Sequence, residues 1–468
     1  MANQEIPLNQ SQLTSAKEFA DRTFPQALAQ LGDLVKLPGV AWPSFDPKVL
    51  DESAQAVKSQ LQQLEFFDFV EIRKAAKPDG QPGAPAVVAR RAAKNGAPHV
   101  LLYAHHDVQP PGKDELWESE PFVATLRGDR LYGRGASDDK SGVITHLFAL
   151  RGLTELVDSP DVGVTVFIEG EEEAGSPSFQ NFLADNKDDL AADLIIVADS
   201  GNWSTETPAL TASLRGMVSQ TFSLHTLDHA VHSGLYGGPL PDAMTAMIRL
   251  LGTMWDEAGN VAIAGLESEA MNGPDISLEQ LRHESGMLST SDRMGSHPLA
   301  QQLWGEPAAT VIGIDAPAVD VSSNTALPSA RARVSVRIAP SQDPAAALEA
   351  LKRHLGNNAP FGARLEFGES EAGPGYRAKD GKYAALMHGI LSENWGQQSV
   401  DMGIGASIPF IADFAKAFPA AEILVTGVED PDSRAHSPNE SQHLPTLRRA
   451  IASETALLIH ANSLALNG

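Results

Sequence analysis

The sequence has 468 residues, 42% of them hydrophobic and 20% charged, which is typical of folded proteins with more than one domain. Its formal net charge of −25 argues against a nucleic-acid partner, because an acidic surface repels phosphate. The absence of cysteine excludes disulfides, thiolate ligands and a cysteine nucleophile, so any metal site must use His, Asp and Glu.

The N-terminal segment MANQEIPLNQSQ is polar and has neither a basic stretch nor an apolar core, unlike a secretory signal. No apolar run reaches membrane-spanning length. We therefore expect a cytoplasmic protein without a membrane partner. The acidic balance is typical of a solvated surface, and carboxylates are also the groups that neutralise bound cations.

Helical and strand patterns alternate along the chain, which favours an α/β fold. Apolar residues recur at helical spacing in three segments, 48–66, 141–157 and 446–464. Four short apolar runs rich in β-branched residues predict buried strands. These runs are HVLLYA (99–104), VTVFI (164–168), LIIVA (194–198) and EILVT (422–426).

The middle of the chain has a different pattern, in which strands alternate apolar and polar residues. Such strands have one wet face, as in a small antiparallel sheet backed by helices. The alternating segments are 213–227 and 330–340, and the helical segments are 241–257 and 344–355. We predict two domains: an α/β domain with a central mixed sheet flanked by helices, and an inserted α+β domain. The predicted boundaries are 1–212 with 377–468 for the first and 213–376 for the insertion.

Acids or histidine follow three of the predicted strands at once. His105 and Asp107 come after the first strand, EGEEEAGS after the second, and Asp199 directly after the third. The loop after the fourth strand reads GVEDPDSRAHSPNE and contains His436. Because ligands of open α/β sheets bind beyond the carboxyl ends of the strands, these side chains predict one shared site.

Each group also has a purely structural interpretation. Because a strand alternates its side chains, His105 and Asp107 are predicted to point the same way. They then fit a metal ligand with its orienting carboxylate, and equally a surface histidine beside a turn aspartate. The adjacent Asp138 and Asp139 in LYGRGASDDKSG are by themselves better explained as an N-cap. The acids of EGEEEAGS fit a metal ligand beside a general base, or a solvated turn.

The combined inventory favours a metal site. Two histidines, three carboxylate ligands and one further carboxylate as base fit a pair of Zn²⁺ or Mn²⁺ ions about 3.5–4 Å apart. Magnesium or calcium sites built from oxygen would not call for two imidazoles. The Gly-rich segment 131–142 does not have the spacing of a Walker phosphate loop.

Five segments, in this order, resemble the zinc-dependent peptidase family of carnosinase and the cytosolic nonspecific dipeptidases: YAHHDVQPPG, LYGRGASDDKSG, EGEEEAGSPS, VADS and AHSPNE. The wider family includes aminoacylases and succinyl-diaminopimelate desuccinylase. The resemblance extends to the insertion, where VHSGLYGG (231–238) and VSVRIAP (334–340) are similar to motifs of that family's lid domain.

The resemblance implies a role for each motif residue of the α/β domain, which becomes the catalytic domain. Asp107 orients His105, Asp138 bridges the metals and is followed by a cis peptide bond, and Glu172 is the general base. Zn²⁺ is the implied metal, with Mn²⁺ as the alternative. The implied metal ligands are His105, Asp138, Glu173, Asp199 and His436.

The resemblance also implies that the insertion is a lid that carries the contact of a homodimer. His232 of one subunit would reach into the active site of its partner and stabilise the oxyanion. Asn324 and Arg337 would hold the substrate's terminal carboxylate, and Ser407 would line the same pocket.

One motif departs from the family pattern. Carnosinase-like enzymes have Arg-Glu-Gly-Gly-Ser-Ile-Pro where this chain has GIGASIP (403–409), so that Gly403 replaces the arginine. The substrate is therefore left open. A dipeptidase is the leading hypothesis, an N-acyl amino acid amidohydrolase or a carboxypeptidase is the alternative, and a catalytically inactive binding protein is the third.

Overall fold

The computed structural model describes residues 8–271, 273–405 and 408–463. Contacts between Cα atoms divide the chain into two compact units. Unit 1 consists of Met1–Ala212, Ala378–Met402 and Asp413–Gly468, and unit 2 of Ser213–Arg377 and Gly403–Ala412. Where the chain leaves and re-enters unit 1, the Ala378 backbone N–H donates to the Ala212 carbonyl oxygen (2.8 Å).

The helices and strands alternate over most of the described chain. The helices are α1 (Gln10–Val35), α2 (Pro47–Gln62), α3 (Lys140–Leu156), α4 (Phe179–Asp185), α5 (Lys187–Leu190), α6 (Ser233–Tyr236), α7 (Ala243–Gly252), α8 (Leu278–Ser285), α9 (Leu299–Trp304), α10 (Pro344–Asn358), α11 (Lys382–Trp395), α12 (Pro409–Ala417) and α13 (Leu444–Ser463). The strands are β1 (Phe69–Arg73), β2 (Ala86–Arg91), β3 (His99–His105), β4 (Thr125–Arg127), β5 (Arg130–Tyr132), β6 (Gly163–Glu169), β7 (Leu194–Ala198), β8 (Ala209–Leu214), β9 (Gly216–His225), β10 (Val231–His232), β11 (Ala308–Asp315), β12 (Thr325–Ala326), β13 (Ser329–Ile338), β14 (Arg364–Gly373), β15 (Tyr376–Arg377), β16 (Val400–Ile404), β17 (Glu422–Thr426) and β18 (Ser441–His443).

Unit 1 is built on a six-stranded mixed sheet in the order β1-β2-β6-β3-β7-β17. The last four strands are parallel to one another, and they are the four strands that the apolar runs predict. On one face, alternate residues such as Leu102, Val166 and Ile196 pack in a core with α1, α3, α11 and α13. The opposite face carries aromatic rings, with Tyr103 edge-on to Phe167 (5.5 Å between centroids). The sheet is therefore buried on both faces, which explains its continuous apolar runs.

Unit 2 contains a four-stranded antiparallel sheet in the order β11-β13-β9-β14. Along β13, buried and more exposed residues alternate, as the sequence pattern predicts. The buried side chains of β9 and β13 share a core with α7 and α10. A separate ribbon pairs β10 with β12. Together with the mixed sheet of unit 1, this confirms the predicted α/β fold class.

None of the helices in the described part of the chain is long and apolar enough to cross a membrane.

Candidate metal centre

The parallel strands of unit 1 bring chemically active side chains to one edge of the sheet. Strand β3 ends at His105, which pairs with Glu169 at the end of β6. Asp199 follows β7 directly, and a short 3-10 turn after β6 begins with Glu172 and Glu173. Parallel neighbours end at the same edge, so these residues, which are far apart in sequence, are adjacent in space.

Two groups of donor atoms meet at this edge. In the first, His105 Nε2 lies 3.1 Å from Asp138 Oδ1 and 3.7 Å from Asp199 Oδ1. In the second, His436 Nε2 lies 3.0 Å from Asp138 Oδ2 and 3.1 Å from Glu173 Oε2. Within each group the donor atoms are within 4.8 Å of one another. Asp138 belongs to both groups and offers a different oxygen to each.

Asp138 and Asp139 have different surroundings, although both precede α3. Asp139 is the N-cap of this helix, since its Oδ1 accepts from the Gly142 backbone N–H (3.2 Å) and its Oδ2 accepts from the His105 backbone N–H (3.1 Å). The peptide bond between the two aspartates is cis, as the resemblance implies. The N-cap interpretation is therefore correct for Asp139, while Asp138 points to the two histidines.

Asp107 lies near His105 for a different reason from the one that strand alternation predicts. Strand β3 ends at His105, so the argument that residues 105 and 107 share a strand face is wrong. The chain turns instead, and Asp107 places its carbonyl oxygen 3.1 Å and its Oδ1 3.3 Å from His105 Nδ1. Its carboxylate also accepts from the backbone N–H groups of Glu172 and Glu173 (both 3.1 Å). With Nδ1 occupied in this way, His105 presents Nε2 to the donor group.

The ion pairs of the second group lower the pKa of Asp138 and raise the pKa of His436. Burial raises the pKa of Asp138, but hydrogen bonds from His105 and His436 outweigh this and leave it well below its ordinary value. Hydrogen bonds to Asp138 and Glu173 raise the pKa of His436 to about 11. Burial, followed by the charge of Asp138, raises the pKa of Glu173 to about 7.

The other acids at this edge are crowded and buried. Burial raises the pKa of Glu172 well above its ordinary value, and the charge of Asp199 adds to the effect. Burial also raises the pKa values of Asp199 and Asp139. Carboxylates this close are unfavourable as anions unless cations neutralise them. Because imidazole nitrogens and carboxylate oxygens suit zinc and manganese, the residues present fit divalent metal ions.

Comparison with known proteins identifies the family of this chain. The sequence model of peptidase family M20/M25/M40 matches residues 101–460. The chain belongs to this peptidase family. A relative from Corynebacterium striatum, cysteinylglycine-S-conjugate dipeptidase, is 31% identical over 424 residues, covering 89% of this chain and 92% of that protein. The resemblance to carnosinase-like peptidases and the prediction of a metallopeptidase are thereby confirmed.

Two solved peptidase structures share the fold over nearly their whole length. Human carnosine dipeptidase 1 superposes with a TM-score of 0.72 at 21% identity, covering 96% of this chain and 100% of that one. A metallo-carboxypeptidase of the M20 family from Sulfolobus solfataricus gives a TM-score of 0.76 at 23% identity, covering 93% and 99%. At these identities both comparisons establish the fold alone.

The predicted substrate residues that the structure describes lie in unit 2. His232 ends β10 and is exposed, and its Nδ1 accepts from the Gly234 backbone N–H (3.0 Å). Asn324 precedes the partner strand β12, so the two residues are close together. Arg337 lies in β13, where burial lowers its pKa. Ser407 lies outside the described residues.

Gly403, which replaces an arginine of the family motif, has no room for a side chain. A Cβ atom built there would lie 2.5 Å from the Cβ and Cγ atoms of Trp304 and 2.9 Å from Ser213 Oγ. Real Cβ atoms do not approach so closely, and Trp304 is itself buried. A side chain at position 403 would therefore collide with Trp304.

The sequence predicts no role for two acids near the centre, Glu169 and Glu429. Glu169, at the end of β6, accepts from the buried Tyr103 hydroxyl (2.7 Å), and burial raises its pKa to about 8. Glu429, in the loop after β17, has its pKa raised well above its ordinary value by burial and by the charges of Asp138 and Asp199. Its position just beyond a strand end is the same signal that indicates Asp199.

Proposed function

We propose that this chain is a dipeptidase that hydrolyses the amide bond of dipeptides at a centre of two divalent metal ions. The observation that carries the proposal is the position of Asp138, which offers one oxygen to each of two donor groups. Each group contains one imidazole, from His105 or His436, so neither is a simple acidic turn. The name of the Corynebacterium striatum relative, a dipeptidase, supports a dipeptide substrate.

The proposed ligands of one ion are His105, Asp138 and Asp199, and those of the other are Asp138, Glu173 and His436. Zinc is proposed because it accepts mixed imidazole and carboxylate ligands in open catalytic sites, and manganese is the alternative. When bound, such ions polarise the scissile carbonyl group and lower the pKa of water. Asp107 is proposed to hold His105 in the orientation that this requires.

Glu172 is the proposed general base. It belongs to neither donor group, yet its backbone N–H and that of Glu173 are held by the same Asp107 carboxylate. Burial raises the pKa of Glu172, so its carboxylate is a stronger base than an exposed carboxylate. This side chain is therefore suited to take a proton from the attacking water and to give it to the leaving amine.

The substrate's terminal carboxylate is assigned to Arg337 and Asn324, and Ser407 is proposed to line the same pocket. An arginine fork matches the two oxygens of a carboxylate. His232 is assigned to the active site of a partner subunit, where an imidazole would stabilise the oxyanion. Its exposed position and its location on the β10–β12 ribbon support this assignment.

We also propose a homodimer formed through unit 2. The strongly exposed large apolar side chains of this unit include Leu235 (76%), Tyr236 (56%), Val319 (88%) and Val321 (75%). Exposed apolar groups of this size are typical of surfaces that a partner covers. Light scattering of the purified chain is expected to give twice the chain mass of 49.7 kDa, and a strictly monomeric protein would contradict the dimer.

The substrate proposal is tested by turnover of three substrate classes: dipeptides including cysteinylglycine S-conjugates, N-acyl amino acids, and longer peptides with a free carboxylate. Dipeptides are expected to be cleaved at least about tenfold faster, as kcat/KM, than the other classes. Chelation is expected to abolish activity, and Zn²⁺ or Mn²⁺ to restore it. Preference for N-acyl amino acids would identify an amidohydrolase, and activity that survives complete metal removal would refute the metal mechanism.

A further inference from the structure

Glu440 ends the loop that carries His436, and its carboxylate is completely buried. Its side chain accepts four hydrogen bonds from the segment that ends in Asp138. Oε1 accepts from the backbone N–H groups of Ser137 (2.9 Å) and Asp138 (3.0 Å). Oε2 accepts from the Gly135 backbone N–H (3.0 Å) and from Arg134 Nη1 (2.6 Å).

Through these four bonds, the Glu440 carboxylate holds the backbone of the segment that ends in Asp138. A buried carboxylate is strongly unfavourable unless its lone pairs are satisfied, so the N–H groups and the oxygens hold one another in place. A fifth bond comes from the main chain, since the Gly133 N–H donates to the Glu440 carbonyl oxygen (3.0 Å). The position of the Asp138 backbone is thus determined by a residue that belongs to neither donor group.

The Arg134–Glu440 pair also contacts the backbone next to His436. While Arg134 Nη1 binds Glu440, its Nη2 donates to the carbonyl oxygen of Ser437, the residue after His436 (3.3 Å). His436 has a φ of 62°, in the left-handed region that non-glycine residues seldom adopt. Such a backbone persists only where its surroundings hold it. The Arg134–Glu440 ion pair supplies that support.

We infer that Glu440 is a positioning residue that fixes Asp138 and His436 relative to each other and thereby sets the affinity of the centre for metal. The inference rests on the proposed function, in which both residues are metal ligands. Glutamine at this position keeps one accepting oxygen but turns an NH₂ group toward two N–H donors. The loop that ends in Asp138 must then shift, and the distance between the donor atoms of Asp138 and His436 changes.

The experiment titrates the metal-free full-length protein with Zn²⁺ against a chromogenic chelator, for the unaltered chain and for Glu440→Gln. The variant is expected to bind Zn²⁺ about 10- to 100-fold more weakly. Excess Zn²⁺ is expected to recover part of kcat, with KM for a dipeptide nearly unchanged. Glu454→Gln is the matched control, because Glu454 is equally buried and accepts from His146 Nδ1 (2.7 Å) away from both loops.

The control is expected to lower the melting temperature without changing Zn²⁺ affinity, which separates positioning from general stability. Unchanged affinity in Glu440→Gln overturns the inference. If that variant does not fold, Arg134→Lys decides, since lysine lacks the two separate nitrogens with which Arg134 contacts Glu440 and Ser437, and weaker Zn²⁺ binding is again expected. Normal Zn²⁺ binding without dipeptide turnover in the unaltered chain would refute the proposed function only. Absence of Zn²⁺ binding there would refute both.

Discussion

Glu172→Gln is expected to lower kcat for dipeptide hydrolysis by about 10²- to 10⁴-fold while the protein keeps its metal. The amide has nearly the shape of the carboxyl group but cannot take a proton from water or return one to the leaving amine. Because Glu172 belongs to neither donor group, the ligands are unaffected. Metal analysis and steady-state kinetics on the same sample measure the two effects separately.

The control for this variant is Glu118→Gln, which makes the same chemical change at a side chain that is 73% exposed. Its kcat and metal content are expected to match those of the unaltered chain. Should Glu172→Gln retain more than about a tenth of the activity, another group must act as the base. Should it lose its metal, Glu172 is a ligand rather than a base.

Asp138→Asn is expected to remove both metal ions and to reduce activity below about 1%. Its two oxygens belong to different donor groups, at 3.1 Å from His105 Nε2 and 3.0 Å from His436 Nε2. An asparagine offers a single accepting oxygen and no charge, so at least one group loses a ligand and both lose the negative charge of Asp138. Metal content per chain, measured after exhaustive dialysis, gives the result.

Two further variants serve as the comparison, since each changes one donor group only. Asp199→Asn affects the group of His105, and His436→Ala affects the group of Glu173. Each is expected to retain metal at the other position, so that both keep more metal than Asp138→Asn. Equal metal content in all three variants would contradict a shared aspartate, and normal metal content in Asp138→Asn would contradict its role as a ligand.

The parts of the fold that the sequence predicts best are those with strong periodicity. The runs 194–198 and 422–426 coincide with β7 and β17, because strands buried on both faces must be apolar throughout. Helix α1 is not predicted from the sequence. Its buried positions include the small residues Ala16, Ala20 and Ala27, and Pro25 lies inside the helix, so its apolar face is weak in the sequence.

The site is predicted through the positions of acids and histidines after strands, and the parts that are missed depend on tertiary contacts. Asp107 is predicted beside His105, but a turn rather than strand alternation brings it there. Glu440 is indistinguishable in sequence from a surface acid until the fold directs four donors at it. The tight contact between Gly403 and Trp304 joins residues that no local pattern relates.

The hydrogen bond between Ala212 and Ala378 has a consequence for how this protein can evolve. This bond closes unit 1 across the longer of its two interruptions, and every residue of both donor groups lies within unit 1. The long excursion between these two alanines can therefore change in sequence, and even in length, while the donors keep their places, because closing a longer loop costs little extra entropy. Substitutions in this excursion can therefore be selected independently of substitutions in the metal centre.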